Sequence, residues 1–410
     1  MTGRRCKNSS RATVERIGAV QTPVLRNGVV ALLASASLLL SACSSGDGPA
    51  AGEEAPFPRS SPASAPASAS PSADLPPAEG SVAVVKTLTD GLASPWGVAA
   101  LPGGDLLVGS RDEATITRID AESGGKTLLG SVPGVAPAGE GGLLGLAVAP
   151  TFGADHLVYA YFTTESDNRI ARLQYDEKKP PGQQLGAPDT ILRGIPKGSI
   201  HNGGRIAFGP DRMLYAGTGE TGDTGLAQDK ASPAGKILRM TPDGEPVHGN
   251  PEGDSLVYSY GHRNVQGLAW DSGKRLWASE FGQNTWDELN LIEPGKNYGW
   301  PDVEGKEGAS GFVDPVAQWK TSEASPSGIA YAEGSIWMAG LRGERLWRIP
   351  LSGKADEPLA RPQAFLEGKY GRLRTVLAAG GDKLWLVTSN TDGRGTAKPG
   401  DDRILLLKVR

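Results

Sequence analysis

The apolar positions of this chain recur in one short unit. A small residue, an aliphatic and a second small residue lead into a turn, and an apolar strand follows. The first part reads Gly97-Val98-Ala99, Gly145-Leu146-Ala147, Arg205-Ile206-Ala207, Gly267-Leu268-Ala269, Gly328-Ile329-Ala330 and Thr375-Val376-Leu377. The third and sixth copies fit most loosely. Within about ten residues come Leu106-Leu107-Val108, Leu157-Val158-Tyr159, Leu214-Tyr215-Ala216, Leu276-Trp277-Ala278, Ile336-Trp337-Met338 and Leu384-Trp385-Leu386. Turn sequences such as Pro102-Gly-Gly-Asp105 and Gly209-Pro-Asp211 separate the two parts. A third element closes each unit, as in Ile116-Thr-Arg-Ile119 and Arg345-Leu-Trp-Arg-Ile349. Several of these alternate apolar with polar, the period of a half-buried strand.

The first element repeats at spacings of 48, 60, 62, 61 and 47 residues, and no helical pattern intervenes. That period predicts an all-β fold, a six-bladed β-propeller over 81–410. A β-sandwich would not repeat at this length. The stretch Val82-Ala-Val-Val-Lys-Thr-Leu88 is expected to supply the outer strand of the last blade and so close the ring.

The residues ahead of the repeats read differently. Six basic side chains and one acidic one fall in 1–42, and the apolar run from Gly28 to Leu40 is short and rich in small residues. It reads as a signal peptide rather than a membrane span. Leu40-Ser41-Ala42-Cys43 resembles the lipobox of bacterial lipoproteins, in which the Cys43 thiol would be lipidated. An extracytoplasmic protein held to the membrane by that lipid is expected. Residues 43–80, dominated by Ser, Pro, Ala and Gly, read as a disordered tether. Without 1–42 the chain has 36 basic and 45 acidic residues, a net charge near −9, which disfavours nucleic acid as a partner. Cys43 is then the sole cysteine, so neither an intrachain disulfide nor a thiolate metal cluster is available.

In a propeller the loops that lead into the innermost strands converge at one end of the axis. Here they carry Pro95-Trp96, Glu140-Gly141, His201-Asn202-Gly-Gly-Arg205, His262-Arg263-Asn264-Val-Gln266, Ser325-Pro-Ser327 and Arg372-Leu-Arg374. An axial pocket with so many arginines suits a multiply charged anion. No Gly-x-Gly-x-x-Gly sits between a strand and a helix, which disfavours a nicotinamide cofactor.

Gly261-His-Arg-Asn-Val-Gln-Gly267, Glu280-Phe-Gly-Gln-Asn284, Asp287-Glu-Leu-Asn290 and Asn297-Tyr-Gly-Trp-Pro301 form the most specific stretch. With His201-Asn-Gly-Gly204 and Gly371-Arg-Leu-Arg374, it resembles the soluble PQQ-dependent glucose and aldose sugar dehydrogenases, the glucose/sorbosone dehydrogenase family. The resemblance implies oxidation of the anomeric hydroxyl of an aldose to a lactone, with hydride passing to PQQ. A hydride acceptor must be organic, because no side chain takes a hydride. It makes His201 the general base, Glu220 its carboxylate partner and Arg263 the charge beside the quinone oxygens. The family usually has Asp where Glu220 stands. Glu140, Arg263, Asn264, Arg342, Arg372, Arg374 and Thr388 become cofactor-binding residues. Glu140 stands in place of a Gln, and Arg342 where the family tends to have Lys. The carbonyls of Gly282 and Gln283 match a pair that binds the cofactor's Ca²⁺, and Glu288 with Tyr298 matches a second, structural calcium site. His262 reads as structural, and Trp277, Trp337 and Trp385 as blade packing. The implied partners are a small sugar and an electron acceptor, and the domain reads as a monomer. Two other readings exist: a binding propeller without catalysis, and a calcium-dependent lactonase. The lactonase would need a carboxylate cluster on the axis, and the axial set is too basic for one.

Overall fold

The computed structural model describes residues 75, 78–352 and 358–410, so the expected signal peptide, Cys43 and nearly all of the expected tether lie outside the described residues. Six four-stranded antiparallel sheets surround a common axis. The innermost strands are Pro95–Ala100, Leu143–Val148, Ile206–Phe208, Val265–Trp270, Pro326–Ala332 and Leu373–Ala378. Each is the "small–aliphatic–small" element of the repeat, and successive ones pack against each other around the ring. Blades are numbered 1 to 6 in that order. Among the described residues only Phe152–Asp155 and the 3₁₀ turn Thr224–Ala227 are helical.

The small residues have a direct cause. A Cβ on Gly97 would overlap the backbone around Leu144 of the next blade, and one on Gly267 would meet the Ser327 carbonyl. Glycine lets neighbouring inner strands approach within that distance. The aliphatic residues fill the spaces between blades. Tyr159, Tyr161 and Ile170 of blade 2 pack with Leu214, Leu238 and Met240 of blade 3. Trp277 of blade 4 packs with Ile336 and Met338 of blade 5, and Trp337 of blade 5 with Leu384 and Leu405 of blade 6. The three tryptophans are therefore blade packing, as their positions in the repeat suggest.

Closure follows the expected route. Val82–Thr89 pairs antiparallel with Ile404–Val409 and becomes the outer strand of blade 6, next to the C-terminal strand. Leu88 then joins Trp385 and Ile404 of blade 6 against Val98, Leu106 and Val108 of blade 1. The first and last blades are thus joined by hydrogen bonds and by buried apolar surface.

Candidate active site

His201 lies in the loop that leads into the inner strand of blade 3. Its φ of +53° is left-handed, which a side chain with a Cβ adopts only when its surroundings hold it there. The backbone N–H donates to Oε2 of Glu140 at 3.0 Å, and the carbonyl accepts from the N–H of Thr221 at 3.2 Å. The imidazole Nδ1 lies 2.5 Å from Oε1 of Glu220. A carboxylate there makes Nδ1 the protonated nitrogen and leaves Nε2 as the basic one. Nε2 has no hydrogen-bond partner among the described residues. The longer side chain of Glu220 is accommodated, because its second oxygen takes the Gly222 N–H. The Glu220 backbone N–H also donates to the carbonyl of Arg263 at 2.9 Å, which ties the dyad to the arginine in blade 4. The Glu220 and His201 side chains are 1% and 12% exposed, so this hydrogen-bonded pair is shielded from water.

A small cavity on the axis is lined by Trp96, Arg111, Glu140, Gln266, Phe281, Leu341, Arg372, Arg374, Asp392 and Arg394. Its four guanidiniums outnumber its two carboxylates. Asp392 Oδ2 accepts from Arg372 Nη2 at 3.0 Å and from Arg374 Nη2 at 3.1 Å. Burial raises the Asp392 carboxyl, but Arg374 and Arg372 together hold it below the usual carboxylate range. Burial pushes Arg374 down to about 10. Glu140 Oε1 sits 2.7 Å from Nη2 of Arg394, whose side chain is 61% exposed at the rim.

Arg263 lies where the dyad and the pocket wall meet. Its Nη1 donates to the Phe281 carbonyl at 3.3 Å, and its guanidinium lies 5.4 Å from the Trp300 ring. Burial lowers its pKa, and Glu220, Glu304, Asp287 and Glu140 act against that. Arg263 Nε and Asn264 Nδ2 are buried donors with no partner among the described residues. Asn264 is fully buried, its Oδ1 accepting from Gly203 N–H. His262 is structural: it is fully buried between Ser259 and Glu280, stacked on Tyr298, and burial pushes it down to about 3.

The loop after the second strand of blade 4 carries Gly282 and Gln283. One carboxylate oxygen of Glu304 accepts the four N–H groups of Gln283, Asn284, Thr285 and Trp286, at 2.7 to 3.1 Å. Those bonds hold Glu304 low in spite of burial. The carbonyls of Gly282 and Gln283 accept no hydrogen bond among the described residues. Glu288 and Tyr298 are both buried and line one small cavity with Arg263, Glu280 and Glu304. Glu288 takes the Gly305 N–H and the Asn290 amide. Burial drives its carboxyl up, and the neighbouring Glu280 carboxylate adds to the rise. Among the described residues no group of three or more His, Cys, Asp or Glu side chains has the geometry of a metal site.

Of the residues named from the sequence as cofactor-binding, Glu140, Arg372 and Arg374 line this cavity, Arg263 lines the one it shares with Glu288, and Asn264, Thr388 and Arg342 line neither. Thr388 is fully buried, and its hydroxyl donates to Asp402 and accepts from Arg403 N–H, so it anchors the loop 389–402. Arg342 is exposed on the turn beside Leu341. Three polar lining residues were not named from the sequence: Arg111, Asp392 and Arg394. They lie between the second and third strands of blades 1 and 6. Antiparallel order places those loops at the same end as the loops into the inner strands, so the topology could have named them.

Fold and site together define a propeller with a carboxylate-backed histidine and an anion-binding pocket at one end of its axis. Residues 92–405 match the Glucose / Sorbosone dehydrogenase family model, and the chain belongs to that family. A solved PQQ-bound aldose sugar dehydrogenase from Streptomyces coelicolor is 76% identical, with a TM-score of 0.80, covering 82% of this chain and all of that one. Quinoprotein glucose dehydrogenase B of Acinetobacter calcoaceticus is 30% identical over 61% of this chain and 59% of its own length. Aldose sugar dehydrogenase YliI of Escherichia coli is 30% identical over 63% of this chain and 72% of its own.

Proposed function

We propose that the protein is a PQQ-dependent aldose sugar dehydrogenase that oxidises the anomeric hydroxyl to a lactone. The observation that carries this reading is the His201–Glu220 dyad, tied through the Arg263 backbone to a pocket with excess buried guanidinium charge. The pocket fits a tricarboxylate: Arg372 and Arg374 share one aspartate, and Arg263 Nε and Asn264 Nδ2 are buried donors awaiting an acceptor. Arg263, Asn264, Arg372 and Arg374 would hold PQQ, with Glu140 and Arg394 at its side. When bound, the cofactor supplies an ortho-quinone that accepts two electrons as hydride from the sugar's C1.

The chain's own residues supply the proton chemistry. His201 Nε2 takes the proton of the anomeric O–H as the C–H bond breaks, and Glu220 stabilises the imidazolium that results. Arg263 offers positive charge where negative charge develops on oxygen. Glu140 holds the backbone N–H of His201 and so fixes where the ring starts.

The carbonyls of Gly282 and Gln283 are proposed as ligands of a calcium ion beside the cofactor. Uncommitted carbonyl oxygens on a loop pinned by Glu304 suit that ion. Glu288 and Tyr298 are proposed to hold a second calcium. Anchoring to the membrane by lipidated Cys43, with the domain outside the cytoplasm, is part of the same reading.

The test is reconstitution. Apo-protein given PQQ and Ca²⁺ is expected to reduce an artificial acceptor dye when an aldose is added, and neither addition alone is expected to suffice. Activity that is independent of PQQ, or no oxidation of any aldose by the fully loaded protein, would reject the proposal.

A further inference from the structure

Arg205 immediately precedes the inner strand of blade 3 and reaches across the axis. Its Nε donates to the Gln266 carbonyl of blade 4 at 2.8 Å, and Nη2 to the Thr375 hydroxyl of blade 6 at 3.3 Å. Thr375 in turn donates to the Trp96 carbonyl of blade 1 at 2.9 Å. The guanidinium stacks on Trp96, 4.4 Å from the ring centroid, and Arg374 lies 5.7 Å from the same ring. Four blades therefore meet on one side chain, which is 7% exposed.

Its charge has no counterpart. Arg205 forms no ion pair among the described residues, and its one charged neighbour, Arg374, repels it. A buried, unpaired charge is costly. Joining blades through a carbonyl and a hydroxyl needs only neutral N–H donors, which a glutamine amide supplies. What the guanidinium adds is a field in a medium of low dielectric. That field points at one place: Trp96, Gln266 and Arg374 all line the candidate cofactor pocket, and Arg205 lies directly behind them.

We propose that Arg205 determines cofactor affinity without touching the cofactor, as an uncompensated cation beneath the Trp96–Gln266 floor that a polyanionic ligand neutralises through space. This rests on the reading of the pocket as a PQQ site. It also explains why the charge is tolerated: its burial cost falls on the empty protein and is offset when the anion binds.

The experiment is a calorimetric titration of the apo-protein with PQQ at low and high salt, beside thermal melts without cofactor. The variants are Arg205→Gln, Arg205→Lys and Thr375→Val. At an effective dielectric of about 20, one unit charge acting on another about 10 Å away changes binding by roughly tenfold. Arg205→Gln is expected to weaken PQQ binding roughly tenfold or more and to flatten its salt dependence, while melting no earlier than Arg205→Lys. Arg205→Lys keeps the charge and is expected to stay within about threefold of wild type. Thr375→Val removes a bond of the guanidinium but not its charge, and is expected to bind as wild type does. Should Arg205→Gln not fold, Arg205→Met, which is neutral and can still lie on the Trp96 ring, takes its place with the same expectation. Equal weakening in Gln and Lys, weakening in Thr375→Val, or wild-type affinity in Gln would each overturn the inference. Wild type that fails to bind PQQ would overturn the pocket reading, and this inference with it.

Discussion

Glu220 carries the plainest chemical consequence at the level of a single residue. Its two oxygens are divided between the His201 ring and the Gly222 N–H, and neither is left over. Glu220→Gln keeps the size but removes the charge that stabilises the imidazolium, and its amide nitrogen cannot accept from one of the two N–H groups that the carboxylate serves. It is expected to lower kcat by roughly tenfold to a hundredfold and leave PQQ affinity near wild type, a smaller loss than general-base removal gives. Steady-state kinetics and a PQQ titration check this; an unchanged kcat would remove Glu220 from the mechanism. His201, Arg263, Arg372 and Arg374 were legible in the sequence because each lies beside an inner strand that the repeat marks. Asp392 and Arg394 carry no local signal, since the loop 389–402 has no periodicity of its own, and only the antiparallel order of the blade places them at that end. Nor could the sequence show that Arg394 pairs with Glu140, because the two stand 254 positions apart and only the fold joins them.

Among the elements, the loop 281–286 is the most fully determined. Glu304 binds four successive N–H groups, so one side chain from the long connection 293–316 shapes the turn that presents the Gly282 and Gln283 carbonyls. The same connection brings Tyr298 to Glu288. Glu288 bears a buried carboxylate beside that of Glu280, an arrangement that a bound cation would relieve. Glu288→Gln is therefore expected to melt no earlier than wild type in chelator, yet to lose the gain in melting temperature that added Ca²⁺ gives wild type, because an ion bound only by the folded state stabilises it by mass action. Melting curves at several calcium concentrations decide it. A variant that gains as much as wild type excludes Glu288 as a ligand. The blade elements were readable from their period, but the path of 293–316 was not, since nothing in its local pattern says that it doubles back to cap the preceding loop.

Across the whole molecule, one geometric rule explains both stability and function. Glycines let the inner strands crowd the axis, apolar layers fill the gaps between blades, and Val82–Thr89 closes the ring. The loops at one end then have no option but to converge, and polar residues from four blades line one small cavity. Lipidation of Cys43 is the proposed means of attachment to the membrane. Cys43→Ala is expected to move the protein from the membrane fraction to the soluble fraction; wild type found unlipidated and soluble would contradict that. The central claim is that His201 is the base for aldose oxidation beside a bound quinone. It is tested most directly by stopped-flow mixing, without oxygen, of PQQ- and Ca²⁺-loaded protein with an aldose while the cofactor's absorbance is followed. The account predicts rapid reduction of the cofactor by wild type, and reduction slowed by roughly 10²–10⁴ in His201→Ala at unchanged PQQ affinity. Reduction of the cofactor by His201→Ala at the wild-type rate would contradict it.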